Sequence, residues 1–265
     1  MRAHIALALS LALAACSLRS DAVPDQAPQS PCKPVQFEDT PLTHCIIDPA
    51  LHRIGVDLGP DGRKPYGSLS AFASANKDEQ QAIALVMNAG MYDEDLRPIG
   101  YFVEDGERLK PINQNEGPGN FHLLPNGIFF GQADGGWQVL STGNFIDEVK
   151  QRPDFATQSG PMLVIGGELH PDIAPDGESL KLRNAVGVDL AGRAHLLISE
   201  APISFGRLAR YYRDVLKVPN ALFLDGSVSQ IWDPARGRMD GGPDIGPLIV
   251  VRHREEAASE GKASP

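Results

Sequence analysis

Apolar residues recur in short runs bounded by Gly, Pro, Asn and Asp: IALVMN (83–88), IGYFV (99–103), GIFFG (127–131), PMLVIG (161–166), AVGVDL (185–190), AHLLIS (194–199), ALFLDG (221–226) and PLIVVR (247–252). Their length, β-branching and flanking turn formers predict strands. One segment carries the helical period instead. In SFGRLARYYRDVLKV, Phe205, Leu208, Tyr212, Val215 and Leu216 share a face, and Ser204 stands where a helix start is capped. SLSAFASANKDEQ is a second, weaker helical pattern. NGIFFGQADGGWQVL and AVGVDLAGRAHLLIS each place two apolar runs across a short turn, as hairpins do. Strands outnumber helices, and the 204–217 helix lies between two of them. The expected fold class is therefore α+β: a mixed, largely antiparallel sheet with helices packed on it, in a single domain.

Composition adds boundaries. At 42% hydrophobic over 265 residues, the chain can bury a sizeable core, and residues 35–252 are expected to hold it. Residues 1–15 have a basic start, an apolar run too short to span a bilayer, and small residues before Cys16, the make-up of an export signal. Leu13-Ala14-Ala15-Cys16 resembles the lipobox of bacterial lipoproteins, which implies lipidation of Cys16. Ser17 after it favours an outer-membrane lipoprotein facing the periplasm. Residues 16–34, rich in Pro, Ser and Gln, are expected to be a flexible tether, and 253–265 a polar tail. The formal charge is −10, or −11 once the leader takes Arg2 with it, which weighs against nucleic acid as a partner. The membrane is met through the lipid anchor only. Cys32 and Cys45 are thirteen positions apart with no zinc-spaced companions, so in an oxidising compartment a structural disulfide is the simple inference.

Candidate chemistry gathers at strand ends. IALVM runs into Asn88-Ala89-Gly90, PMLVIG is preceded by Thr157-Gln158-Ser159-Gly160, and ALFL runs into Asp225-Gly226-Ser227. Each alone reads as a turn; three together read as a ligand site, with glycines permitting close backbone approach. Arg183, in Lys181-Leu182-Arg183-Asn184, is either one half of a salt bridge or a clamp for phosphate or carboxylate. Asn120 and His122 lie in the amide-rich stretch 119–127, whose Asn126-Gly127 reads as a turn into GIFFG. His122 is the one histidine retained as a proton carrier, whereas His195 reads as a half-exposed strand residue. Neither Ser227 nor Ser229 sits in a nucleophile elbow. Walker, dinucleotide, H-E-x-x-H and EF-hand patterns are missing, so no metal and no cofactor are expected.

In order and spacing, NAGMYDEDLRPIGYFVEDGE, GNFHLLPNGIFF, QSGPMLVIGGELHP, RNAVGVDLAGRAHLLIS and ALFLDGSVSQIW resemble the phosphodiester glycosidase family, most closely its bacterial branch. The resemblance spans residues from about 45 to 252. It implies hydrolysis of the bond between a sugar's anomeric carbon and a phosphodiester, on a glycan or sugar-phosphate substrate. Carried over by motif, it places Asn88, Gly90, Ser159, Gly160, Arg183, Asp225 and Gly226 at the site. Asn120, His122, Asn184, Ser227 and Ser229 complete the expected binding set. Asp225 is the candidate stabiliser of an oxocarbenium-like state and Arg183 the candidate neutraliser of the phosphate. Glu104 or Asp189 is the candidate second carboxylate. Where characterised family members often read Asp-Gly-Gly-Gly-Ser-Ser, this chain has Asp225-Gly226-Ser227-Val228-Ser229-Gln230. That altered loop favours an alternative, an anchored module that binds an anionic glycan without turnover. A purely structural envelope protein is a third reading, and it predicts Asn88, Arg183 and Asp225 far apart.

Overall fold

The structure, a computed structural model, describes residues 29–60, 64–225 and 228–254. The expected leader, Cys16, Gly226, Ser227 and all but the start of the polar tail fall outside the described residues. The strands form three sheets rather than one, and every pairing between the described strands is antiparallel. The first runs, edge to edge, through Cys32–Phe37, Thr40–Ile47, Ala194–Ser199, Asn184–Val188, Asn220–Phe223, Met162–Ile165 and Glu168–Leu169. The second takes Arg238–Met239, Ile231–Asp233, Ile83–Asn88, Leu248–His253 and His52–Asp57, and the third Glu107–Lys110, Phe102–Glu104, Phe155–Ser159, Gly127–Gln132 and Gly135–Ser141. Both expected hairpins are present. Cys32 and Cys45 face each other across the first pair and are joined as a disulfide, so ordered structure starts inside the stretch expected to be tether.

Side-chain alternation explains how three sheets share one interior. In the first sheet Val186, Leu196, Ile198, Leu222 and Leu224 point inward, meeting Leu85 and Met87 of the second sheet and Phe129 and Phe155 of the third. Their neighbours Ala185, Leu197, Ala221 and Phe223 point outward against Leu208, Ala209, Tyr211 and Tyr212. Ile83–Asn88 and Ala194–Ser199 are buried along their whole length, which is why they read as continuous apolar runs. The helix expected at 204–217 is α-helical at Phe205–Arg210, with the Ser204 hydroxyl accepting from Arg207 N (3.2 Å), and then widens to a π-helix at Tyr211–Leu216. That change of period turns Val215 away from the expected shared face, and it is 51% exposed. His195 is also not half-exposed. It is buried against His44, Nδ1 to Nε2 2.9 Å, with its Nε2 3.1 Å from Asp189.

Candidate active site

Each sheet sends one polar strand end to a common place. Asn88 closes a strand of the second sheet and Ser159 one of the third, while Asn184 opens a strand of the first and Asp225 lies two residues past the end of its neighbour, Asn220–Phe223. Asn184 ties them together: its Nδ2 donates to Asn88 O (2.9 Å) and Oδ1 (3.1 Å), and its Oδ1 accepts from Asp225 N (2.8 Å). Its backbone N–H donates to Asp225 O (3.2 Å) and its carbonyl accepts from Leu224 N (3.1 Å). Two residues thus oppose one, the arrangement of a β-bulge, which re-aims the chain that follows. Ser159 Oγ donates to Leu224 O (2.6 Å), and Ser229 Oγ to Asp225 O (3.1 Å). Val228, in the loop that departs from the family sequence, packs on the core of the second sheet.

Above this layer lies a cavity of about 320 Å³ lined by Met91, Tyr92, Ile99, Asn120, Ser179, Lys181, Arg183 and Asp225. The expected acid and guanidinium therefore face one space. Arg183 is 1% exposed. Its Nε donates to Ile203 O (2.8 Å), its Nη2 to Ser179 O (2.9 Å) and Oγ (3.2 Å), and its guanidinium carbon lies 3.6 Å over the Phe205 ring. Among the described residues it forms no ion pair, and Nη1 makes no hydrogen bond. Burial alone pulls it down to about 10, so it stays cationic at neutral pH. Among the described residues the salt-bridge reading of Arg183 finds no carboxylate within ion-pair distance, and a buried guanidinium of this kind is suited to meeting an anion.

The other expected site residues divide. Asn120 is on the cavity wall. Asn88, Ser159 and Asn184, all 0% exposed, do not line it; their polar atoms hold backbone, apart from Asn88 Nδ2, which is buried without a partner. Gly90 and Gly160 belong to the same supporting layer. A Cβ on Gly90 would lie 2.5 Å from Gln158 O, and one on Gly160 2.8 Å from Phe121 O, so close backbone approach is the reason for glycine at both. His122 is turned away to Asn115 O (2.7 Å) and is not a wall residue, while Asn126 is a buried brace to Thr142 rather than a simple turn residue. Neither candidate second carboxylate reaches the wall. Glu104 sits beside Asp57, where burial and that neighbour push it up to about 7, and Asp189 is bonded by Arg193 and His195.

Tyr92, Ser179 and Lys181 are wall residues that sequence reasoning did not assign. Tyr92 donates to Asp244 O (2.9 Å), and burial, with Asp225 and Asp244 nearby, raises its hydroxyl so that it stays protonated. Its ring packs against Gly246. The signal for Ser179 and Lys181 was the two-residue spacing to Arg183 in an extended segment. Among the described residues no group of three His, Cys, Asp or Glu side chains has the geometry of a metal site.

The chain was compared with known proteins. The phosphodiester glycosidase family model matches residues 81–232, a span that includes Asn88, Ser159, Arg183, Asn184 and Asp225. The uncharacterized protein YigE of Escherichia coli (strain K12) is 33% identical over 187 residues, covering 70% of this chain and 72% of its own. The catalytic domain of zebrafish N-acetylglucosamine-1-phosphodiester alpha-N-acetylglucosaminidase, auto-inhibited by its pro-peptide, superposes with a TM-score of 0.57 at 16% identity, over 84% of this chain and 82% of that one. A hypothetical protein from Synechocystis does so with 0.51 at 14%, over 84% and 61%. At such identities the two structures speak for the fold; the family model and the bacterial relative speak for the family.

Proposed function

The chain belongs to the phosphodiester glycosidase family, and from that premise we propose that it breaks the C1–O bond of a sugar-1-phosphodiester in the cavity shared by Arg183 and Asp225. Membership makes it a phosphodiester glycosidase-like hydrolase of phosphodiester-linked sugars. The observation that carries the residue assignment is the buried Arg183 guanidinium, which has no ion-pair partner among the described residues and shares its cavity with a carboxylate.

In this reading the bridging phosphate meets Arg183 Nη1, with Asn120 and Ser179 as further polar contacts. The anomeric carbon lies beside Asp225. As the C1–O bond breaks, its electron pair stays with the phosphate oxygen, whose charge Arg183 neutralises, and Asp225 stabilises the positive charge left on the sugar ring. Water adds to C1, and its proton passes to the departing phosphomonoester dianion or to solvent. The products are the free sugar and a phosphomonoester of the aglycone. A phosphate leaving group is a weak base, so the reaction has little need of a general acid beside it. The Tyr92 ring, backed by Gly246, offers an apolar face to the sugar.

We place the enzyme in the cell envelope, exported and held through a lipid on Cys16, with a cell-envelope or exopolysaccharide glycan as substrate. The Cys32–Cys45 disulfide supports export, since such bonds persist in oxidising compartments. Kinetics on sugar-1-phosphodiesters test the assignment. Asp225→Asn should lower kcat about 10³-fold, and Arg183→Ala should lower kcat/KM at least about 10²-fold, each with the fold intact. Folded variants that work at the parental rate would refute it, and an intact protein that binds the diesters without turnover would leave the binding module as the function.

A further inference from the structure

The cavity wall carries two cations, Arg183 and Lys181, beside the single carboxylate of Asp225. Residues 179–183 run extended, with Lys181 N and O both bonded to Ile203 (3.3 and 2.8 Å). Alternation puts Ser179, Lys181 and Arg183 on the cavity wall, while Leu180 and Leu182, 54% and 42% exposed, stand on the opposite face. Arg183 is buried at the base and Lys181 is exposed at the rim, roughly 6–7 Å apart along the strand at two residues' rise. Neither forms an ion pair among the described residues, in a chain of net charge −10 whose other arginine clusters are paired with carboxylates.

We infer that the substrate's aglycone carries a second negative charge, a phosphate or a carboxylate, one short spacer beyond the scissile phosphate, and that Lys181 reads it. The inference rests on the assignment of the scissile phosphate to Arg183. A diester bears a single charge, which Arg183 matches; the aglycone leaves towards the rim, where Lys181 is the cation it passes. Substrates of this class include repeating sugar-phosphate chains and sugar phosphates esterified to a hydroxy acid.

The test uses a panel of hexose and N-acetylhexosamine 1-phosphates, each esterified to propanol, to 3-phosphopropanol or to 4-hydroxybutyrate, with the exported form of the protein at low and high salt. The expected result is a kcat/KM about fivefold higher for one or both anionic esters than for the propyl ester, the size of an exposed ion pair, shrinking as salt rises. The two anionic arms separate phosphate from carboxylate. Lys181→Ala should bring that ratio to about one, and Lys181→Arg should keep it. A ratio near one in the parent protein, or a preference that survives Lys181→Ala, overturns the inference while leaving the Arg183 and Asp225 assignment standing. No turnover of any ester overturns that assignment and this inference with it.

Discussion

Asn184 shows how a buried amide can govern a carboxylate it does not touch through its side chain. Its two donor contacts reach Asn88 in another sheet, and its acceptor fixes Asp225 N, so one residue sets both the junction of the sheets and the aim of the acid. Asn184→Ala leaves the buried Asn88 carbonyl and the half-buried Asp225 amide short of partners. A stability loss of about 2–4 kcal/mol is expected in denaturant melts. Kinetics should then divide the effect unevenly: kcat drops about 10-fold or more while KM stays near its parental value, because Asn184 is a positioning residue that does not line the cavity. A KM effect as large as the kcat effect would place it on the substrate instead. At this scale much of the site was legible. Arg183, Asp225 and Asn120 stand out as polar residues beside apolar strands, and all three reach the wall. Asn88, Ser159 and Asn184 carry the same signal for a different reason, since a side chain that braces the backbone and one that meets a ligand look alike in a sequence. Tyr92 escaped because an aromatic among polar residues carries no signal of its own, and Lys181 because its alternation with Leu180 and Leu182 points to the wall only once Arg183 is known to be there.

At the scale of elements, long apolar runs betrayed the strands that are buried on both faces, such as Ile83–Asn88 and Leu248–His253. Phe155–Ser159 is as deeply buried, yet its sequence, FATQS, is mostly polar, because its end belongs to the layer under the site. Division into three sheets was not legible, since strand pairing is set by contacts distant in sequence. The histidine pair between Thr40–Ile47 and Ala194–Ser199 is likewise a tertiary product. Burial favours neutral His195; with Nε2–H donated to Asp189, its Nδ1 accepts from His44 Nε2, and Tyr211 Oη, 3.4 Å from His44 Nδ1, closes the chain. Burial, with His195 and Lys33 nearby, pulls His44 down to about 3. Unfolded, it takes up a proton below about pH 6.5, whereas the folded protein refuses one until about pH 3. Stability is therefore lost as pH falls from about 6.5, at about 1.4 kcal/mol per pH unit for this group. Urea melts between pH 7 and pH 4.5 should show that slope reduced by about one proton in His44→Gln. An unchanged slope would mean that His44 is protonated in the folded state.

For the molecule as a whole, three antiparallel sheets round one apolar interior each deliver a polar strand end to the buried layer beneath a single cavity, and this convergence is what joins distant motifs. The structural-scaffold reading expected Asn88, Arg183 and Asp225 to be dispersed. Instead, Asn184 bonds to both Asn88 and Asp225, and Arg183 and Asp225 share a wall. Past the altered positions, Val228 packs against the core of the second sheet and Ser229 holds the Asp225 carbonyl. In the proposed reaction the cavity breaks the bond on the carbon side of the bridging oxygen, and turnover of a sugar-1-phosphodiester in ¹⁸O-labelled water reads this directly. Because free sugars slowly exchange their anomeric oxygen with water, the deciding analysis is of the phosphomonoester. It should form with no label, the new oxygen having gone to the sugar; label in the phosphomonoester would mean that water had attacked phosphorus and would rule out cleavage at C1.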